Sequence, residues 1–275
     1  MSPRILPVST ENQWFQRVET LKNNRAKRRQ LGQFFVEGVR SINQLRGNPR
    51  WRTEALLYPA GRRLSGWAMD VMAELDPPDL LEVAPPLMEK LCDREEGSEL
   101  IAIVRMPERG VPPAASGPAG LAVVLDRPGN PGNLGSILRS CDAFGADALV
   151  ITGHAVDLYD PLVIRASAGA FFSQPAAVLE EQAALEAWLK SLEAASTGLR
   201  ILGTSAKAEK PVTDFDLAAP TVLCFGSETM GLSRRFKERC HDLATIPMRG
   251  AASSLNLACA VTAVLFEAAR QRGRA

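Results

Sequence analysis

The chain has 275 residues, of which 46% are hydrophobic, and its formal net charge at pH 7 is +1. This length can hold two ordinary domains, each with its own core. No stretch approaches the ~20 apolar residues of a membrane span. The beginning of the sequence also lacks the apolar core of a signal peptide, so we expect a cytoplasmic protein.

Cysteine and histidine are too sparse for several kinds of site. The chain has 5 cysteines, without a Cys-x-x-Cys pair, and 2 histidines. These numbers argue against a disulfide framework, a zinc cluster and a catalytic triad built on histidine. We therefore expect buried free thiols, no bound metal, and a structural role for the adjacent Cys240 and His241.

The N-terminal part of the chain alternates between helical and strand patterns. A capping-box pattern at Thr10 and Gln13, followed by apolar residues at helical spacing, predicts an amphipathic helix. A strand is predicted at 33–38, and strands and helices continue to alternate beyond it. Residues 1–106 are therefore predicted to form a small α/β domain, followed by a proline- and glycine-rich linker at 107–120.

Charge is unevenly distributed along this first domain. Residues 1–50 contain 10 Lys or Arg against 3 Asp or Glu, whereas residues 51–112 contain 7 against 12. Most of the positive excess lies in the run LKNNRAKRRQ at 21–30, where the first predicted helix ends. Such a run fits a solvated helix face and a phosphate-contacting surface equally well.

Continuous apolar runs separated by helical segments begin at residue 121. The runs lie at 121–126, 148–153, 199–205, 221–226 and 243–248. Buried parallel strands have this composition, so residues 121–275 are predicted to form an α/β domain with a wound parallel sheet. The apolar segment 254–272 is predicted to be a helix packed into the core of that domain.

The first of these runs is followed by a glycine-rich loop and a helical pattern. Gly129, Gly132 and Gly135 form a G-x-x-G-x-x-G pattern, with Arg139 four residues further on. This pattern fits neither the dinucleotide fingerprint nor the P-loop. The next predicted strand, at 148–153, also ends without the acidic residue that holds the ribose in a dinucleotide site. A nicotinamide-dependent dehydrogenase is therefore a weak alternative. A plain strand-to-helix turn has a similar composition, so the loop alone does not assign a function.

Two further loops carry polar residues and glycines directly after apolar strands. They are CFGSETMGLS at 224–233 and IPMRGAASSLN at 246–256. The carboxyl ends of parallel strands share one edge of a sheet, so we expect these loops and the glycine-rich loop to form a single crevice.

Three segments resemble, in order and spacing, the three motifs of the SpoU (TrmH-like) family of RNA ribose 2′-O-methyltransferases. They are NPGNLGSILRSCDAFG, FGSETMGLS and IPMRGAASSLNLACAVTAVLFEAAR. The run RRQLGQFFVEGVRSI is similar to the start of the RNA substrate-binding domain of that family. The resemblance implies a parallel-sheet domain with a deep trefoil knot, bound S-adenosylmethionine, and a homodimer with the active site at or near the subunit interface.

The resemblance also implies roles for individual residues. Arg139 is the family's main catalytic residue; it activates the ribose 2′-hydroxyl or, because a guanidinium stays charged, orients phosphate and stabilises the alkoxide. Asn133 positions the arginine or the substrate, and Glu228 is a partner for the arginine or for nearby backbone. Ser254 and Asn256, at the start of the last helix, complete the expected catalytic set, and Ser254 is also expected to cap that helix.

Cofactor and RNA contacts follow from the same resemblance. The S-adenosylmethionine site is expected to comprise Gly226, Ile246, Leu255, Thr204, Phe225 and Met248. An RNA substrate favours phosphate contacts from the basic run, by Lys22, Arg25, Lys27, Arg28 and Arg29. We expect ribosomal RNA as the substrate. A transfer RNA ribose methyltransferase and a non-catalytic RNA-binding protein of the same fold are the alternatives.

Overall fold

The structure is a computed structural model that describes residues 3–92, 98–107 and 120–273. The chain divides into two compact units: Met1–Glu108 with Tyr159–Phe172, and Arg109–Leu158 with Ser173–Ala275. Most of the predicted linker lies outside the described residues. Within the described ranges, no helix has both the length and the apolar character that crossing a membrane requires.

Strands and helices alternate along the chain. The strands are β1 Arg4–Val8, β2 Gln33–Glu37, β3 Thr53–Pro59, β4 Asp79–Val83, β5 Ile101–Arg105, β6 Leu121–Asp126, β7 Ala148–Thr152, β8 Ala176–Leu179, β9 Arg200–Thr204, β10 Thr221–Gly226 and β11 Asp242–Ala244. The helices are α1 Gln13–Asn23, α2 Arg25–Leu31, α3 Val39–Asn43, α4 Gly66–Leu75, α5 Pro85–Leu91, α6 Pro131–Phe144, α7 Pro161–Ala166, α8 Ala170–Ser173, α9 Gln182–Ala195, α10 Arg234–Arg239 and α11 Leu257–Gln271.

The first unit is built on a five-stranded sheet in the order β1-β4-β3-β5-β2. β1, β4 and β3 are parallel, whereas β5 runs antiparallel to both of its neighbours. Apolar residues of β1 to β5, α1 and α5 pack into one buried cluster. The predicted alternation of strands and helices in this part of the chain is confirmed, although β1 was not predicted.

A second buried cluster explains why Tyr159–Phe172 belongs to the first unit. The ring of Phe34 lies 5.1 Å from that of Tyr159, and the indole Nε1 of Trp51 donates to the carbonyl of Phe172 at 3.0 Å. Burial of these large rings stabilises the contact because each removes much apolar surface from water. The segment lies inside the predicted second domain, and its contacts are with the first unit.

The sequence suggested that the first helix runs into the basic run, but the structure has two separate helices there. Asn24 ends α1, and its side chain accepts from the backbone N–H of Lys27 at 3.1 Å, which begins α2. At the other end of α1 the capping residue is Asn12, whose side chain accepts two first-turn amides. The predicted cap at Thr10 is therefore wrong by two residues, because an asparagine stands at the first position from which the chain can turn into the helix.

The second unit contains a six-stranded sheet in the order β11-β9-β10-β6-β7-β8. Every pairing in it is parallel. All residues of the central strand β6 are buried, as its continuous apolar run indicates. The predicted parallel sheet is confirmed, whereas β8 was not predicted and β11 is shorter than the apolar run around it.

The last helix, α11, begins at Leu257 and packs against α6. Its N-terminal cap is Asn256, whose Oδ1 accepts from the backbone N–H of Ala258 at 2.9 Å. The predicted cap at Ser254 is wrong, since Ser254 lies two residues before the cap in an exposed segment. β9, β10 and β6 are neighbours, so the loops that follow them meet at one edge of the sheet.

Candidate active site

A cavity of about 430 Å³ lies at the carboxyl edge of the second sheet. Its walls come from the segments that follow β9, β10 and β11 and from the start of α11. This volume is within the range of sites that bind cofactors and other small molecules. Two of the three loops predicted to form one crevice therefore line this cavity, whereas the glycine-rich loop after β6 does not.

All six predicted cofactor residues line this cavity. They are Thr204, Phe225, Gly226, Ile246, Met248 and Leu255. Met248 and Leu255 keep 38% and 40% of their surface exposed, although both side chains are apolar. Apolar side chains left open around a concave site are typical of a surface that a ligand covers.

Gly226 brings the strand end and the following loop into direct contact. A Cβ at this position would lie 1.9 Å from the carbonyl carbon of Gly231 and 1.9 Å from the backbone nitrogen of Leu232. No side chain fits in that space, because both neighbours are backbone atoms that cannot rotate away. The 227–233 loop is thereby folded back against β10, and its residues form one wall of the cavity.

A chain of hydrogen bonds joins the three motifs at the rim of the cavity. The Asn133 Nδ2 donates to Glu228 Oε1 at 2.8 Å, and the Asn256 Nδ2 donates to Asn133 Oδ1 at 3.0 Å. The backbone N–H of Gly129 donates to the second carboxylate oxygen of Glu228 at 3.1 Å. Residues more than 90 positions apart in sequence are thus held within bonding distance.

These bonds keep Glu228 ionised. Partial burial acts to raise the pKa of Glu228, but hydrogen bonds from the Asn133 side chain and from backbone N–H groups, that of Gly129 among them, outweigh it. The pKa of Glu228 therefore lies below the usual value for glutamate. At neutral pH the rim of the cavity carries a negative charge with fixed orientation.

Two of the predicted catalytic residues are placed differently. Ser254 lines the cavity and has no capping role. Arg139 is exposed on α6 and does not line the cavity. It lies six residues beyond Asn133, which corresponds to about 9 Å along a helix and to another face of it. Within one chain, the structure therefore does not bring Arg139 next to the rim residues.

Sequence reasoning missed three contributors to the site. Lys207 and Lys237 line the cavity, and Gly129 donates its backbone N–H to Glu228. Lys207 could have been found, because it follows an apolar strand in the same way as the other site loops. Lys237 lies on α10 and gives no comparable signal. Among the described residues, no group of three or more His, Cys, Asp or Glu is arranged to hold a metal ion.

The predicted RNA-contacting residues separate into buried and exposed groups. Arg28 is 2% exposed, and its guanidinium donates to the carbonyls of Leu21 and Lys22 at 2.9 and 3.0 Å. It therefore leaves the predicted RNA-binding set, since it holds the end of α1 instead. Lys22 is partly buried and donates to a backbone carbonyl of α5. Arg25 is also partly buried, whereas Lys27 and Arg29 are exposed.

Cys240 and His241 were predicted to be structural. His241 makes two hydrogen bonds with the backbone of Ile201: the imidazole Nδ1 accepts from the Ile201 N–H at 3.0 Å, and the backbone N–H of His241 donates to the Ile201 carbonyl at 2.8 Å. Both bonds attach the segment before β11 to β9. The imidazole is thus engaged in holding the sheet together.

Comparison with known families decides the assignment of this architecture. Residues 120–266 match the model of the SpoU rRNA Methylase family, and residues 12–102 match that of the SpoU L30e-like domain. The chain belongs to the SpoU rRNA methylase family. The resemblance of the three motifs is therefore confirmed, as is the likeness of the N-terminal part to the family's substrate-binding domain.

Two named relatives align with most of the chain. A 23S rRNA (uridine(2479)-2′-O)-methyltransferase of Streptomyces viridochromogenes is 39% identical over 272 residues, which cover 98% of this chain and 94% of the relative. A 23S rRNA (guanosine-2′-O-)-methyltransferase RlmB of Pseudomonas aeruginosa is 31% identical over 215 residues, or 77% of this chain and 75% of the relative.

A solved structure has the same fold across both units. The SpoU methyltransferase AviRb from Streptomyces viridochromogenes, in complex with the cofactor AdoMet, matches with a TM-score of 0.89 and 40% identity. The match covers 95% of this chain and 98% of that structure.

Proposed function

We propose that this SpoU protein is an S-adenosylmethionine-dependent RNA methyltransferase that transfers a methyl group to a ribose 2′-hydroxyl of ribosomal RNA. One observation carries the proposal. The residues expected to bind the cofactor line a single cavity, and three of the residues expected to act in catalysis, Asn133, Glu228 and Asn256, meet at its rim. Relatives named as 23S rRNA methyltransferases, which match over 98% and 77% of this chain, support ribosomal RNA as the substrate class.

The cavity fits S-adenosylmethionine by its chemistry. Ile246 and Leu255 would supply apolar surface for the adenine, and Lys207 would supply a cation for the carboxylate of the cofactor. The ionised Glu228 complements a ligand that carries a sulfonium and an ammonium group. When bound, the cofactor supplies an electrophilic methyl group, and this transfer needs neither a metal nor a covalent enzyme intermediate.

The residues at the rim would orient the ribose and its hydroxyl proton. Asn133 is held on one side by Asn256 and on the other by Glu228, so its amide has a fixed direction. Such preorganisation lowers the barrier because the reacting oxygen needs no further positioning. Arg139 remains our predicted catalytic residue, and its exposure on α6 leaves its guanidinium available to an RNA phosphate or to the site of a second subunit.

RNA binding by the first unit is proposed to involve its exposed basic residues. Lys27 and Arg29 project from α2, at a position where phosphate contacts need no rearrangement of the core. The match of this region to the SpoU L30e-like domain supports the proposal.

Three further properties belong to the proposal through the family resemblance. We propose a homodimer, a deep trefoil knot in the second unit, and a cytoplasmic location. The exposed ring of Phe266 on α11, which packs edge-on against Phe144 at 6.0 Å, supports a partner surface on this side of the second unit. Light scattering of the purified protein measures the subunit number.

Calorimetry and methyl transfer test the proposed activity. We expect the purified chain to bind S-adenosylmethionine and to transfer a labelled methyl group to a 2′-hydroxyl of deproteinised ribosomal RNA. Asn133→Ala and Arg139→Ala should lower the transfer rate by about 100-fold or more, because each removes a group that orients the reaction. Arg234→Ala is the matched control, since Arg234 is an exposed arginine that does not line the cavity.

Three outcomes would contradict parts of this proposal. A chain that binds no S-adenosylmethionine would refute the enzyme and favour a non-catalytic RNA-binding protein. Full activity of Arg139→Ala would remove that residue from catalysis. Methylation of transfer RNA without methylation of ribosomal RNA would keep the reaction and change the substrate.

A further inference from the structure

An ion pair at the end of β6 has no role in the site as described so far. Asp126 is 4% exposed, and it accepts two hydrogen bonds from its neighbour Arg127, from Nε at 2.8 Å and from Nη2 at 3.0 Å. Partial burial acts to raise the pKa of Asp126, but the bonds from Arg127 and Ser233 outweigh it and lower that pKa. The carboxylate therefore stays charged, and a buried charge is retained only where its partners are held in place.

Both members of the pair also bind the loop that forms the cavity wall. The backbone N–H of Ser233 donates to Asp126 Oδ2 at 2.8 Å, and Arg127 Nη2 donates to the carbonyl of Gly231 at 3.3 Å. These two bonds hold the second half of the 227–233 loop to the end of β6. Glu228, in the first half of the same loop, is held by the bonds from Asn133 and Gly129.

The backbone at Arg127 is in a conformation that L-residues rarely adopt. Its φ is +57°, and its N–H donates to the carbonyl of Thr152 on β7 at 3.0 Å. Gly153 makes room for the side chain, because a Cβ there would lie 2.6 Å from Arg127 Cγ. Such strain persists where the surrounding structure enforces it, and it is concentrated at functional sites.

From these contacts we infer that Asp126 and Arg127 are positioning residues that hold the 227–233 loop in the shape that binds S-adenosylmethionine. The inference rests on the proposed function of the cavity. Neither residue lines the cavity, so both act through the loop. Asp126 holds the backbone N–H of Ser233 and Arg127 holds the carbonyl of Gly231, and the bidentate pair fixes these two side chains relative to each other.

Two substitutions separate the side chains from the backbone strain. Arg127→Gly removes the guanidinium and leaves a residue that adopts a positive φ without cost, so a loss of binding cannot arise from strain. Asp126→Asn keeps the side-chain volume and removes the charge. Arg127→Lys retains a cation near Asp126 but not the forked geometry. Arg234→Ala again serves as the control, because it removes an exposed arginine just beyond the same loop.

The readouts are the calorimetric Kd for S-adenosylmethionine and amide hydrogen exchange of the peptide that contains 227–233. For Arg127→Gly and Asp126→Asn we expect the Kd to rise about tenfold, since charge-assisted hydrogen bonds are lost, and exchange to accelerate in this peptide. Arg127→Lys should lie between the wild type and Arg127→Gly. The KM for S-adenosylmethionine should rise more than kcat falls, because the reacting groups remain in place.

The outcomes distinguish this inference from the function on which it rests. If the wild-type chain binds no S-adenosylmethionine, the proposed function fails, and accelerated exchange limited to 227–233 would still support the loop contact. If the wild type binds and both variants bind with unchanged Kd, the positioning role is refuted. Exchange that accelerates uniformly across the second unit would also refute it, because the pair would then support the whole fold.

Discussion

Replacing Gly226 with alanine should lower both the stability of the second unit and its affinity for the cofactor. The added Cβ would lie 1.9 Å from the carbonyl carbon of Gly231, 1.9 Å from the nitrogen of Leu232 and 2.4 Å from the Gly231 carbonyl oxygen. Ordinary contacts between such atoms are about 3.5 Å, so the backbone of the loop must move by more than an ångström. That backbone is the wall of the cavity, and its movement displaces every group attached to it.

The size of the effect follows from the kind of atoms involved. Overpacking a core typically costs about 1–3 kcal/mol, and the upper part of this range applies where no side chain can rotate away. We therefore expect a loss of about 3 kcal/mol in the free energy of unfolding of the second unit. For a unit of this size, such a loss lowers Tm by about 6–12 °C. Binding of S-adenosylmethionine should weaken by about tenfold or more.

Thermal unfolding with and without S-adenosylmethionine measures both quantities. Gly250→Ala is the matched control, because a Cβ at that position meets no atom within 4 Å and its φ is outside the left-handed region. It should leave Tm and Kd at the wild-type values. The reasoning is refuted if Gly226→Ala keeps both the wild-type Tm and the wild-type Kd, since the loop could then leave β10 without cost.

Three other perturbations have defined outcomes. Arg28→Ala should lower the free energy of unfolding in urea by about 3 kcal/mol, because it leaves two carbonyls without their buried guanidinium donor. Arg29→Ala should lower it by less than about 1 kcal/mol, because Arg29 is exposed, and should reduce the salt dependence of RNA binding. Equal stability of the two variants would contradict this. Because the pKa of Glu228 is lowered in the folded chain, Glu228 contributes to the free energy of unfolding above the ordinary glutamate pKa. This contribution is lost as the pH falls through the folded-state pKa. The difference in the free energy of unfolding between wild type and Glu228→Gln, measured in urea, should therefore be constant from about pH 8 to about pH 5 and shrink below that. A difference that does not shrink in acid would contradict this. Burial raises the pKa of Cys141 well above its usual value. A thiol reagent at about pH 8 should therefore label the exposed Cys259 in the native protein and Cys141 only after unfolding. Simultaneous labelling of both would show that α6 opens in the native state.

The sequence predicts those parts of the fold that are buried on both faces. β6 and β10 are continuous apolar runs, and all six positions of β6 are buried. β1 and β8 escape the same reasoning, and most of their residues are only partly buried or exposed. β8 is an apolar run of only four residues, and β1 contains Arg4 and Pro7, so neither pattern is that of a long buried strand.

Local patterns do not decide which of several polar residues caps a helix. Thr10 and Ser254 are good caps by type, but Asn12 and Asn256 stand where the chain turns into the helix, and this position is set by the packing of the helix on the sheet. Composition likewise cannot tell Arg28 from its exposed neighbours in the basic run. Its burial depends on the carbonyls at the end of α1, which become acceptors only because the helix breaks at Asn24.

The cofactor residues show a different limit. From pattern alone, Ile246 and Leu255 are ordinary core residues, and only the family resemblance assigns them to a site. The structure supplies the physical reason: Leu255 lies in an exposed segment before α11, where an apolar side chain has no core to enter. A sequence pattern records that a residue is apolar, but the direction in which the fold presents it depends on contacts from distant strands.

The direction of the rim hydrogen bonds follows from the start of α11. Asn256 Oδ1 accepts the free backbone amides of the first helical turn, so its other terminal group must be the donor toward Asn133. The oxygen of Asn133 is therefore occupied, and its Nδ2 donates to Oε1 of Glu228. Oε1 can accept this bond only while it carries no proton. The cap of one helix thereby sets the orientation of an amide on another helix and favours the charged form of a glutamate on a third segment. Asn256 thus has a structural role and a site role through the same side chain, and the two cannot be separated by position alone.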